Sequence, residues 1–167
     1  MKNAIAWASC LAVGALCAGT ASAADEACSH TPKQNKEIVL RFYNALAQGD
    51  IATLQKLGRP DYRQHNPNYG DTLQGLIDNI HGRPARAPNA PPIAPLVFVR
   101  SAAEGDYVVL LRRMGPSQGV DPTPEAEKAN VDWFRVQDCK VAEHWDYQEL
   151  FPRAGAANPP KNNNGRF

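Results

Sequence analysis

The sequence carries no excess of charge of either sign. Eighteen Lys and Arg stand against seventeen Asp and Glu, a formal charge of +1. A chain this balanced has no strong field to steer it onto a nucleic-acid backbone or an anionic membrane, so no nucleic-acid partner is expected. Beyond residue 23 it lacks any apolar run near the roughly 20 residues of a membrane span, so no membrane insertion is expected either. Glycine-rich phosphate loops, a G-x-S-x-G elbow and an H-E-x-x-H pair are missing, which removes the chemistries those motifs support. No internal repeat is present. Cysteine is scarce, four in 167 residues, and too widely spread for a zinc cluster. What remains is 43% hydrophobic and 21% charged, the composition of one soluble globular domain.

The one apolar run stands at the start. Lys2 precedes the stretch Ala4 to Ala18, and Ala21-Ser22-Ala23 closes it. A basic start, a short apolar centre and a small-x-small ending form a secretory signal peptide. Residues 1–23 are therefore expected to be cleaved and the mature chain exported, to a periplasm or beyond the cell. Cys10 and Cys17 leave with the signal, so Cys28 and Cys139 remain. An even pair in an exported protein suggests one disulfide; two unrelated thiols are the alternative.

Local signals divide the mature chain into helices followed by strands. Thr31-Pro32 with Gln34 reads as an N-cap, a first-turn proline and the back half of a capping box. Ile38, Val39, Phe42, Tyr43 and Leu46 follow at helical spacing as far as Gly49. Asp50 caps a short second helix that Gly58 stops. Asp61 to His65 reads as extended, and a third helix runs from about Asp71 or Thr72 to Gly82. Arg83 to Pro95 holds five prolines and is read as a stiff connector. Leu96 to Ala103 and Tyr107 to Met114 form a predicted hairpin around Glu104-Gly105-Asp106. Gly115 to Lys128 reads as a loop. Asn130 to Val136 and Val141 to Tyr147 form a second predicted hairpin. Helices first and a strand meander afterwards imply an α+β domain.

Two clusters carry candidate chemistry: Tyr62-Arg63-Gln64-His65-Asn66-Pro67 and Glu143-His144-Trp145-Asp146. In a strand His144 and Asp146 share one face, while Glu143, Trp145 and Tyr147 take the other. A three-residue loop with Cys139 left-handed pairs Val136 with Lys140 and Asp132 with His144, so Asp132, Phe134, His144 and Asp146 share a face. A two-residue loop instead puts Asp132 with Glu143 and Trp145. The first is the expected register. A carboxylate in an apolar pocket is a usable base, and a histidine beside it can donate to an oxyanion or relay the proton. His65, His144 and Asp146 also have metal-ligand character, although spacing does not require a metal. A satisfied polar patch is the structural alternative. Trp133, Trp145 and Tyr147 form an aromatic stripe on the opposite face, a natural dimer surface.

These residues resemble the SnoaL-like group of the nuclear transport factor 2-like superfamily. The resemblance rests on Asn35 to Tyr43 with Gly49-Asp50, then Gln64-His65-Asn66-Pro67, Val131 to Val136, and Glu143-His144-Trp145-Asp146, in order across Asn35 to Gln148. It implies a cone-shaped α+β fold in which a curved mixed sheet wraps around N-terminal helices and encloses a pocket. It divides the chain into a signal peptide (1–23), an N-terminal extension (24–34), the domain (35–151) and a tail (152–167). Relatives include polyketide cyclases that handle a proton with a pocket carboxylate and histidine, without metal or organic cofactor. Carried onto this chain, Asp146 is the candidate base and His144 and His65 its partners, with Asp132 a weaker candidate for the base and Tyr62, Gln64, Asn66, Asp132 and Phe134 lining the pocket. Cys139 replaces the family's usual glycine in the last hairpin turn, which fits a Cys28–Cys139 bridge. The implied ligand is a small apolar carbonyl compound, and the implied assembly a homodimer. Turnover by enolisation, isomerisation or aldol-type chemistry is the leading expectation. A non-catalytic carrier and a dimeric interaction module are the alternatives.

Overall fold

A computed structural model describes residues 28–93, 96–114 and 126–152, with residues 157 and 161. The signal peptide expected at 1–23, most of the loop expected at 115–128 and nearly all of the tail lie outside these residues.

Helix α1 (Pro32–Gln48) starts where the sequence signals place it. Thr31 is extended, its hydroxyl accepts from Gln34 N–H, and Pro32 occupies the first turn, where its missing N–H costs nothing. Gln34 reaches back to accept from Ser29 N–H at 2.7 Å. Gly49, left-handed at φ 74°, ends the helix. Asp50 then caps α2 (Ile51–Leu57) through Thr53, and Gly58 opens strand β1 (Gly58–Gln64). Thr72 caps α3 (Leu73–His81). No regular element follows across 83–93, as the prolines predict.

Strand β2 covers only Arg100–Glu104, shorter than the expected Leu96–Ala103. Its turn at Gly105 leads into β3 (Tyr107–Met114). Strands β4 (Ala126–Gln137) and β5 (Lys140–Pro152) extend well past the expected hairpin. The loop reading of Gly115–Lys128 is therefore corrected for Ala126 to Lys128, which pair with β5 as far as Pro152. Ala and Lys are poor strand formers alone, but a long antiparallel partner overrides propensity.

The strands form one curved, unclosed sheet in the order β1-β5-β4-β3-β2, with β1 parallel to β5 and the other pairs antiparallel. The α+β fold expected from the sequence is the one observed. One sheet face packs on α1 and α2: Val39, Phe42, Leu46 and Leu54 meet Val108, Leu110, Phe134, Val136 and Val141, all buried. The Cys28–Cys139 disulfide ties the entry of α1 to the β4–β5 turn.

That turn corrects the expected register. It has two residues, Asp138 and Cys139, both at positive φ (51° and 54°), with Gln137 opposite Lys140. This is the primed-turn conformation that matches strand twist. A two-residue turn alone would send Glu143 and Trp145 inward. A β-bulge prevents it: Val136 faces Val141 but Arg135 faces Glu143, so Ala142 is the extra residue. Val141 and Ala142 are consecutive and both buried. Beyond the bulge the parity is reversed, Phe134 faces His144, and Asp132 faces Asp146 in place of His144. Asp132, Phe134, His144 and Asp146 thus share the helix-covered face, by a different route from the expected one.

Candidate functional site

Alternation along β1 sends Tyr62 and Gln64, with Asn66 just beyond, to the covered face, and Arg63 and His65 to the outer one. The parallel pairing sets Gln64 beside His144. Gln64 Oε1 accepts from Asn66 N–H at 3.0 Å, which fixes the orientation of its amide, and the same oxygen lies 3.0 Å from His144 Nδ1. Nδ1 is therefore the donor in that contact. Two residues along, Asn66 Nδ2 donates to Asp146 Oδ2 at 2.8 Å. The pair Gln64 and Asn66 holds the pair His144 and Asp146, one to one.

Asp132 is the centre of the buried network and has no solvent exposure. The Tyr43 hydroxyl donates to its Oδ1 at 2.7 Å, and Arg112 Nε donates to its Oδ2 at 3.3 Å. His144 Nε2 lies 3.2 Å from Oδ1, and the residue is 4% exposed. With Nδ1 committed as a donor, this contact is a hydrogen bond only when it holds one further proton, on the ring or on the carboxyl. A buried carboxylate needs such partners, because an unpaired one costs far more than a hydrogen bond returns. The Arg112 guanidinium also lies 5.0 Å above the Tyr43 ring centroid. Burial, followed by the charge of Asp132, pushes the Tyr43 hydroxyl well above its ordinary range; it stays a donor at neutral pH. Burial and then Asp146 do the same to Tyr62.

Asp146 differs from Asp132. It is partly exposed, and among the described residues its one hydrogen-bond donor is Asn66. The arrangement therefore contains one fully buried carboxylate with a donor on each oxygen and a second, across the β4–β5 ladder, partly exposed and with one oxygen that accepts no hydrogen bond among the described residues.

His65 is elsewhere. It lies on the outer face, with Nε2 3.2 Å from Glu143 Oε2 and its ring stacked on Trp145 at 4.6 Å. The expected constellation of His65 with His144 and Asp146 does not form, because residues 64 and 65 point to opposite sides of one strand. These three residues offer no common metal position. Among the described residues, the group of metal-ligating side chains near enough to share an ion is Cys28, His30 and Cys139, and there the two sulfurs are bonded to each other.

Sequence reasoning missed Tyr43 and Arg112. Tyr43 reads as one more apolar residue of the α1 stripe. Arg112 carried a usable signal: it is in phase with Val108 and Leu110, which makes it a charge on an otherwise apolar strand face.

The profile of the SnoaL-like domain matches residues 39–144. No curated protein matches the chain. Among solved structures, a candidate ketosteroid isomerase of Kribbella flavida DSM 17836 is 14% identical at a TM-score of 0.54, over 78% of this chain and 85% of its own. A candidate SnoaL-like polyketide cyclase of Jannaschia sp. CCS1 is 20% identical at 0.50, over 71% and 87%. An LEH-like epoxide hydrolase of M. tuberculosis is 17% identical at 0.50, over 71% and 84%. At such identities the likeness speaks for the fold and not for a reaction. The profile match spans well over half of the sequence, and the chain belongs to the SnoaL-like domain family of the nuclear transport factor 2-like superfamily.

Proposed function

We propose that the protein binds a small apolar carbonyl compound against the covered sheet face and moves a proton on it, with Asp146 as the base. The observation that carries this reading is the convergence of Tyr43, Arg112, Asp132, His144 and Asp146 on one face beside the apolar core. Asp132 is fully buried with a donor on each oxygen and is unsuited to accept a substrate proton, whereas the partly exposed Asp146 has an oxygen to offer. In the proposed step Asp146 takes a proton from the carbon next to the carbonyl. The C–H electrons form a carbon–carbon double bond, and the carbonyl π electrons move to its oxygen, which leaves an enolate beside the cluster of Tyr43, Arg112 and His144. Returning the proton at another carbon completes an isomerisation; attack of the enolate carbon on a second carbonyl, whose oxygen then takes the proton back from Asp146, completes an aldol-type closure. The names of the structural neighbours, an isomerase, a cyclase and an epoxide hydrolase, fit a pocket of this general kind.

Exchange of the α-protons of 2-tetralone in D2O, followed by proton NMR, tests the assignment. The wild type should accelerate exchange, and Asp146→Asn should return it to background with an unchanged circular dichroism spectrum. An Asp146→Asn rate equal to wild type removes Asp146 from the role. Binding of 2-tetralone without acceleration by the wild type leaves a carrier.

Export through a cleaved signal peptide is part of the same proposal, and the Cys28–Cys139 disulfide is compatible with it. Among the described residues no helix is long and apolar enough to cross a membrane. We also propose a homodimer through the outer sheet face, supported by the exposed Tyr107, Trp133 and Tyr147.

A further inference from the structure

Asn130 stands on β4 one inward position before Asp132, and it is wholly buried. Among the described residues neither its Nδ2 nor its Oδ1 has a hydrogen-bond partner. Its neighbours show that this is no general looseness of the interior. Asp132 has Tyr43, Arg112 and His144; Gln64 and Asn66 use both ends of their amides; Asn35 donates to the carbonyl of Gly105. A buried amide with both ends unpaired is unfavourable relative to an apolar side chain of the same shape. Such a group in a native interior calls for an occupant that completes it.

The ladder fixes where that occupant would lie. Asn130 faces Arg112 across β3 and Gln148 across β5, and Asp146 is its diagonal neighbour. Diagonal positions are roughly 7–8 Å apart, about the width of a fused two-ring system. We infer that Asn130 is a ligand-recognition residue whose amide pairs with a group presenting an acceptor and a donor side by side, the edge of a carboxamide or lactam, on an apolar ring body that reaches Asp146. Nδ2–H donates to the ligand carbonyl and the ligand N–H donates to Oδ1. A simple ketone satisfies only Nδ2 and leaves Oδ1 unpaired. This inference rests on the proposed ligand site and names the polar group that the site selects.

Two probes of the same shape test it. 1-Naphthamide and 1-acetonaphthone differ by an NH2 in place of a CH3, and calorimetry on the full, disulfide-bonded chain gives both affinities. The wild type is expected to prefer the amide by about tenfold. Asn130→Leu is expected to bind both within about twofold, with a thermal midpoint equal to or above that of the wild type. Asn130→Ala serves as the second variant, because a ratio of affinities is insensitive to a general loss of stability. A wild type indifferent to the two probes, or variants that keep the preference, overturns the inference. Indifference together with a lower midpoint in Asn130→Leu identifies a structural water as the partner of the amide. Failure of the wild type to bind either probe refutes the ligand site itself.

Discussion

Glu143 shows how one carboxylate can be held on a solvated face. Burial alone would raise its pKa, but hydrogen bonds from Arg135 and His65 outweigh this and leave it below the usual carboxylate range. Arg135 contributes two, from Nε at 3.0 Å and Nη2 at 2.5 Å, both to Oε1. A depressed folded pKa stabilises the protein above the unfolded value of about 4.3 and ceases to do so as pH falls through the folded value. Glu143→Gln should therefore cost about 0.5–1 kcal/mol at pH 7, and the gap to wild type should close as the pH is lowered past 4. Urea unfolding at pH 7, 5 and 3 reads this directly, and a gap independent of pH would refute the assignment. At this scale the sequence was informative only where alternation spoke. It marked Asp132, His144 and Asp146 as companions, and the family resemblance set Asp146 ahead of Asp132, yet alternation itself carries no sign of the physical difference between the two carboxylates. That difference depends on Tyr43 and Arg112, which lie 89 and 20 residues from Asp132.

Helix starts and stops were legible because capping is local: Thr31, Gly49, Asp50 and Thr72 act within a few residues of themselves. The β4–β5 bulge was not, because an extra residue becomes visible only when two strands are laid side by side. One unpaired alanine decides whether His144 or Trp145 faces the core. The turn beside it combines two requirements in Cys139, a disulfide and a positive φ that an L side chain adopts at a cost. Its two effects can be separated. The bridge spans 111 residues, so Cys28→Ser with Cys139→Ser should lose up to roughly 4–5 kcal/mol through loop entropy. Cys28→Ser with Cys139→Gly should recover about 1 kcal/mol of that, since glycine accepts the left-handed conformation freely. Chemical denaturation of the two double variants measures the difference. Equal stability would mean that position 139 is not strained by its side chain.

On the scale of the whole molecule the sheet has two unlike faces. The inner one is covered by α1 and α2 and carries the Asp132 network. The outer one leaves Trp133 42% and Tyr147 68% exposed, with Trp133 directly opposite Trp145 and Tyr107 edge-on to Trp133 at 6.2 Å. His65, stacked on Trp145, and the Arg135–Glu143 pair border this aromatic surface. Large aromatic side chains on a broad sheet with charges of both signs beside them suit a two-fold contact, in which each patch meets its own copy. The expected outcome is a wild-type chain that sediments at twice its monomer mass, while Trp133→Glu sediments as a monomer. Because Trp133 points away from Asp132 along the same strand, the variant should retain the relative affinities for 1-naphthamide and 1-acetonaphthone. A monomeric wild type at micromolar concentration would exclude this dimer. A monomeric Trp133→Glu with altered probe selectivity would instead mean that the two faces are coupled through β4, and that the second copy helps to shape the site.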